Sequence, residues 1–148
     1  MNAQDILKLI GNTPLVEARN LVKNKNVKLF LKMEGNNPGG SVKDRPAYNM
    51  IVSALERGEI KKGDKLIEAT SGNTGIALAM IAQLLNLEIE LILPEDSTKE
   101  RTQTMRAYGA KVILTPASQG IIGSRDYADK KVTEGGYVML NQFANEDN

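Results

Sequence analysis

Between residues 43 and 141, four short apolar runs alternate with four stretches of helical periodicity, and this alternation restricts the fold more than any other feature of the chain. The runs are Lys65-Leu66-Ile67-Glu68-Ala69, Glu88 to Leu93, Lys111 to Leu114 and Tyr137 to Asn141, all of strand length. Ahead of the first run, Ala47, Met50, Ile51, Ala54 and Leu55 share one helical face, and Gly58 ends that helix. Asn73 to Asn86 is apolar on most sides (Ile76, Leu78, Met80, Ile81, Leu84, Leu85) and is expected to be buried. Ser97 with Glu100 predicts a capping box opening a helix to Tyr108, which Gly109 terminates. Ile121, Ile122, Ala128 and Val132 mark the last helix. Such alternation predicts an α/β fold, a small parallel sheet flanked by helices on both faces and joined by right-handed crossovers. Ligands of such sheets bind beyond the carboxyl ends of the strands.

The first 34 residues do not join this pattern. Ala3 to Ile10 predicts a short helix stopped by Gly11, Asn12-Thr13-Pro14 a turn, and Leu15 to Ala18 a short strand. Val27, Leu29, Leu31 and Met33 alternate with Lys28, Phe30 and Lys32, the period of a second strand. Two antiparallel strands alone are only marginally stable. Residues 1–34 are therefore expected to pack with a larger domain absent from this chain, while 35–148 form a small α/β domain.

The absences narrow the chemistry. With no Cys there is no thiolate nucleophile, disulfide or sulfur ligand for a metal. With no His there is no imidazole base and no Ser-His-Asp triad. An enzyme made from this chain must use Lys, carboxylates, hydroxyls, amides and backbone dipoles, a set suited to holding an organic cofactor. A net charge of +1 suggests no nucleic-acid partner. No apolar run has spanning length and Met1-Asn2-Ala3-Gln4-Asp5 lacks a basic leader, so the cytoplasm is the expected location.

Two loops carry the candidate chemistry. In Asn36-Asn37-Pro38-Gly39-Gly40-Ser41-Val42-Lys43-Asp44-Arg45, the Pro and Gly residues break regular structure and Ser41 is a good N-cap. Pro46 is tolerable only in a helix's first turn, so the helix must begin close to Lys43. A lysine at a helix start sits against the positive end of the dipole, where an imine is favoured over an ammonium. The second loop, Thr70-Ser71-Gly72-Asn73-Thr74-Gly75, joins a strand to a helix. Its glycines allow close backbone approach, and the helix N-terminus presents unpaired N–H groups suited to an anion. Thr70, Ser71 and Thr74 add hydroxyls and Asn73 an amide. The spacing matches neither the Walker nor the dinucleotide glycine pattern.

Together these stretches resemble the pyridoxal-phosphate enzymes of the cysteine synthase (O-acetylserine sulfhydrylase) and cystathionine β-synthase group. The resemblance covers nearly the whole chain, through Gly11-Asn12-Thr13-Pro14-Leu15, Asn36 to Arg45, Glu68 to Ile76, Arg106-Ala107-Tyr108-Gly109-Ala110 and Gln142-Phe143. Glu34 to Pro38 and Ile76 to Met80 look most like the cysteine synthase B branch. Gly39 stands where relatives more often carry Ala or Thr. The resemblance implies a fold-type II pyridoxal-phosphate enzyme in which Lys43 forms the imine with the cofactor and then removes the substrate's α-proton. It implies that Asn73 binds the cofactor's 3′-oxygen, and that Thr70, Ser71, Gly72, Thr74 and Gln142 bind the substrate, chiefly its α-carboxylate. The implied reaction is a transferase's β-replacement, in which O-acetylserine loses acetate and a sulfur nucleophile adds to give L-cysteine; the resemblance leaves open whether the sulfur donor is sulfide or thiosulfate. A cystathionine β-synthase-type reaction and an inactive small-domain fragment are the alternatives. A homodimer is implied as the assembly, with small molecules and neither nucleic acid nor membrane as partners. The family's phosphate cradle and the serine facing its pyridine nitrogen have no counterpart among these residues, so the chain is expected to be the N-terminal half of a longer enzyme.

Overall fold

The computed structural model describes residues 5–148. The expected opening helix lies partly outside them; within them, Leu7–Leu9 form a single 3-10 turn ending before Gly11. Strands β1 (Leu15–Glu17) and β2 (Phe30–Lys32) pair antiparallel, with Leu15 opposite Lys32 and Glu17 opposite Phe30. The strand expected over Val27–Met33 is shorter because β1 offers only three residues to pair. The chain nevertheless extends the ladder through Ala18 N–H to Leu29 O (2.8 Å) and Met33 N–H to Pro14 O (2.9 Å). Leu15, Val16, Phe30 and Leu31 are all exposed, so this ribbon has no buried face.

From Asp44 the expected alternation appears: α1 (Asp44–Glu56), β3 (Lys65–Ala69), α2 (Asn73–Leu84), β4 (Glu88–Pro94), α3 (Lys99–Ala107), β5 (Lys111–Thr115), α4 (Gly120–Glu134) and β6 (Val138–Met139). The four strands form one parallel sheet in the order β5-β4-β3-β6. On one face α1, α2 and α3 close the main core, with Met50, Ile51, Leu78, Ile81 and Met105 against Leu66, Leu91 and Leu93. On the other, Ala128 of α4 packs on Ile67, Ala69 and Ile92. β3 and β4 are covered on both sides and are accordingly buried from their second residue to their last.

Helix placement follows from the strand order. The chain steps from β3 to β4 to β5 with its helices on one face, then returns past β4 and β3 to β6 with α4 on the other. Crossovers of one hand require that change of face when the direction of travel reverses. The reversal makes a topological switch point between β3 and β6, where α/β sheets form their ligand crevice.

Some local expectations need correction. The Ser97–Glu100 capping box does not form; α3 starts one residue later, with Thr98 as N-cap and no side-chain cap. Ser97 instead donates its N–H to Pro94 O in a turn (3.0 Å), which delays the helix. The strand expected over Tyr137–Asn141 shrinks to Val138–Met139, since β6 is an edge strand and Asn141 turns away with φ 53°. α2 ends at Leu84 and Asn86 takes a left-handed φ of 57°. Among the described residues no helix is long and apolar enough to cross a membrane.

Candidate active site

The first part of the site is the start of α1. Lys43 is its N-cap residue, and Ser41 Oγ accepts the Lys43 N–H at 3.1 Å, so Ser41 stabilises the approach rather than capping the helix itself. The Lys43 side chain is exposed, with no hydrogen bond or ion pair among the described residues. Asp44 beside it is fully buried. One of its oxygens accepts the Gly39 N–H, while Oδ1 has no partner among the described residues. Burial raises the Asp44 pKa, and the Gly39 N–H opposes that rise. A Cβ on Gly39 would stand 2.5 Å from Oδ1, so glycine is what lets the carboxyl press against this loop.

The loop is anchored to the N-terminal segment by a network that sequence reasoning did not identify. Arg45 donates through Nε to Glu34 Oε2 (2.8 Å) and through Nη2 to Glu34 Oε1 (3.0 Å). Thr13 Oγ1 donates to Glu34 Oε1 (2.8 Å) and accepts from Arg45 Nη2 (3.1 Å). Asn37 Nδ2 donates to Glu34, and Asn37 Oδ1 accepts the Gly11 N–H, each at 2.8 Å. The Arg45 guanidinium, with Thr13, holds the Glu34 carboxyl down at about 2. Gly11, Thr13, Glu34, Asn37 and Arg45 all lie in stretches quoted above for the resemblance, but nothing in their spacing shows that they meet.

The second part is the turn from β3 to α2. Thr70 N–H continues the sheet to Ile92 O (3.0 Å), after which the chain leaves it. Gly72 is the N-cap of α2, no side chain caps the helix, and the Asn73 and Thr74 N–H groups have no acceptor among the described residues. Thr70 and Thr74 are buried, Ser71 and Gly72 half-buried, and Asn73 exposed. Gly75 permits this packing: a Cβ there would lie 2.7 Å from Met105 Cε and 2.9 Å from Thr70 Cγ2.

The third part follows β6. Gln142 is buried, and its Nε2 donates to Ala69 O at 3.3 Å, joining the two turns across the switch point. Phe143 next to it stacks under the Arg125 guanidinium, 5.1 Å from the ring centroid. Glu68 lies one residue before Ala69, and burial pushes its carboxyl up to about 7. α1 and α2 each run back into the strand that follows, so their N-termini emerge at the carboxyl end of the sheet. Lys43, the Thr70–Thr74 turn and Gln142 are therefore delivered to one end of the domain.

A family model described as pyridoxal-phosphate dependent enzyme matches residues 6–148. The chain belongs to this family. It is 54% identical over 139 residues to cysteine synthase B of Escherichia coli, covering 94% of this chain and 46% of that protein. It thus spans a little under half the length of that relative. The crystal structure of the cysteine synthase of Entamoeba histolytica superposes with a TM-score of 0.92 at 38% identity, over 96% of this chain and 44% of the other. The O-acetylserine dependent cystathionine β-synthase of Helicobacter pylori superposes with a TM-score of 0.88 at 37% identity, over 96% and 47%. The donors fit what the family binds: unpaired N–H groups, hydroxyls and an amide at a helix start, and a lysine outside any ion pair. Among the described residues no cluster of acidic side chains could hold a metal ion.

Proposed function

We propose that the complete enzyme performs β-replacement on O-acetyl-L-serine, forming L-cysteine when sulfide is the sulfur donor and S-sulfo-L-cysteine when thiosulfate is. The observation that carries this reading is the Gln142 Nε2 bond to Ala69 O, which draws the turn after β6 against the turn opening α2. Around that junction lie donors for one carboxylate: the N–H groups of Asn73 and Thr74 and the side chains of Thr70, Ser71, Thr74 and Gln142, with Gly72 leaving room for close approach. Asn73, exposed at the helix start, holds the cofactor's 3′-oxygen. Pyridoxal phosphate, when bound, supplies the electron sink that makes the substrate's α-proton removable and its β-substituent a leaving group.

Lys43 performs the proton work of this chain. Its Nζ takes the proton from Cα as acetate departs from Cβ, and returns it to Cα once sulfur has bonded to Cβ. With sulfide, O-acetylserine and hydrogen sulfide give cysteine and acetate, with no net oxidation. Buried Asp44 and the Glu34–Arg45 pair fix the backbone on either side of Lys43, which supports a preset position for that nitrogen. The exposed apolar residues of β1 and β2 support a further reading, that residues 1–34 pack against a larger domain while 35–148 form the small one. A cytoplasmic homodimer is the assembly this reading expects.

The superposition on the H. pylori enzyme favours one second reading, a cystathionine β-synthase-type reaction with homocysteine as nucleophile. Supplying purified full-length enzyme with O-acetylserine and sulfide, thiosulfate or homocysteine in turn, and identifying products by mass, separates the two. Cysteine or S-sulfocysteine as the main product supports the first reading. Cystathionine as the main product replaces it.

A further inference from the structure

A carboxyl buried in the central strand β3 needs a physical reason. Glu68 is 3% exposed, its strand neighbours Ile67 and Ala69 are core residues, and its Oε2 has no hydrogen-bond partner among the described residues. An apolar side chain of similar volume would avoid that desolvation. What Glu68 faces is the turn after β6. The backbone N–H groups of Gln142 and Asn141, and the Gln142 side chain, all favour its ionised form, as does Arg125 from α4.

The sheet itself does not hold that turn. β6 ends at Met139, and Asn141 adopts a left-handed φ of 53°. The hydrogen bond that returns the turn to the sheet runs from Gln142 Nε2 to Ala69 O, and because Ile67 pairs with Met139, Glu68 lies beside the residues that lead into the Asn141–Gln142 turn. The next residue, Thr70, opens the loop at the start of α2. One strand end thus governs both turns.

We propose that Glu68 is a positioning residue, whose carboxyl faces the Asn141–Gln142 backbone and sets Gln142 beside the Thr70–Thr74 loop so that both turns address one carboxylate. The inference rests on the substrate role proposed for that loop. Glu68 then acts on affinity for the amino-acid substrate, through Gln142, and the strand's own packing does not depend on it.

The test uses the full-length holoenzyme and four variants: Glu68→Met, Glu68→Gln, Gln142→Ala and the Met/Ala double. E68M should fold with thermal stability equal to wild type or higher, while its KM for O-acetylserine rises about tenfold with kcat little changed, the scale of one lost positioning hydrogen bond. E68Q keeps an acceptor oxygen and should restore KM. Adding E68M to Q142A should raise KM no further, because the two act through one contact. Additive effects, or an unchanged KM in E68M, would overturn the proposal. Should E68M not fold, Glu68→Asp withdraws the carboxyl from the turn and is read in the same way. Amide hydrogen exchange over residues 140–143 is measured alongside. It should quicken in E68M even if wild type proves inactive on O-acetylserine, an outcome that would count against the proposed reaction alone. Unchanged exchange there would overturn the role of Glu68 whatever the substrate.

Discussion

Replacing Gly75 with Ala would separate the stability of α2 from the placement of the loop before it. Gly75 is buried, and a Cβ added there would meet Met105 Cε at 2.7 Å and Thr70 Cγ2 at 2.9 Å. The two neighbours can yield to very different degrees. Met105 Cε ends a flexible side chain and can swing aside. Thr70 is β-branched, and its backbone is bonded to Ile92 O, so it moves only by shifting the loop. Inserting a methyl into a filled core costs about 1–3 kcal/mol. Removing glycine from a helix returns about 1 kcal/mol. The net loss should therefore be about 0–2 kcal/mol, too little to unfold the enzyme. A loop displaced by even a few tenths of an ångström should nevertheless raise KM for O-acetylserine by roughly tenfold. Thermal unfolding and steady-state kinetics of the full-length enzyme read both quantities. Adding Thr70→Ser deletes Cγ2 but keeps the hydroxyl, and should recover most of the stability and part of the affinity. If G75A matched wild type in both, or T70S recovered nothing, the packing argument would be refuted.

Replacing Asn73 or Thr74 with Ala should change stability by less than about 1 kcal/mol, because neither side chain caps α2. The same variants should slow the cofactor's spectral response to O-acetylserine in stopped flow; wild-type rates in both would remove this loop from the substrate site. Glu34 is held at about 2, below its ordinary 4.5, chiefly by the Arg45 guanidinium. Its contribution to stability is therefore complete above pH 4.5 and is lost as pH falls toward 2. Thermal melts of wild type and Glu34→Gln should differ most at neutral pH and converge near pH 2; a gap constant with pH would exclude this pair.

The sheet and its helices were legible because period and punctuation agree there. Lys65–Ala69 has strand length and is bounded by turn residues, and it appears with those limits as β3. Gly58 and Gly109 follow α1 and α3 in left-handed conformations that favour glycine, as expected at helix ends. The short edge elements were not legible, because their length is set by partners rather than by their own sequence. Val27–Met33 alternates as a longer strand would, yet pairs only where β1 lies beside it. Ser97 and Glu100 have capping-box spacing, but a turn to Pro94 takes the serine's N–H first. At the site, the donors around Thr70–Thr74 could be read from glycine and hydroxyl content. The meeting of Gln142 with Ala69 required the strand order, because β6 returns to the far side of β3. The Glu34–Arg45–Thr13 network likewise joins residues up to 32 positions apart, beyond any local pattern.

Under the proposed function, Lys43 is the residue that engages the cofactor. Reducing the full-length holoenzyme with borohydride and mapping its peptides by mass spectrometry tests it directly. A single pyridoxyl label on Lys43 is the predicted result. A label on any other lysine, with Lys43 unmodified, would contradict the account.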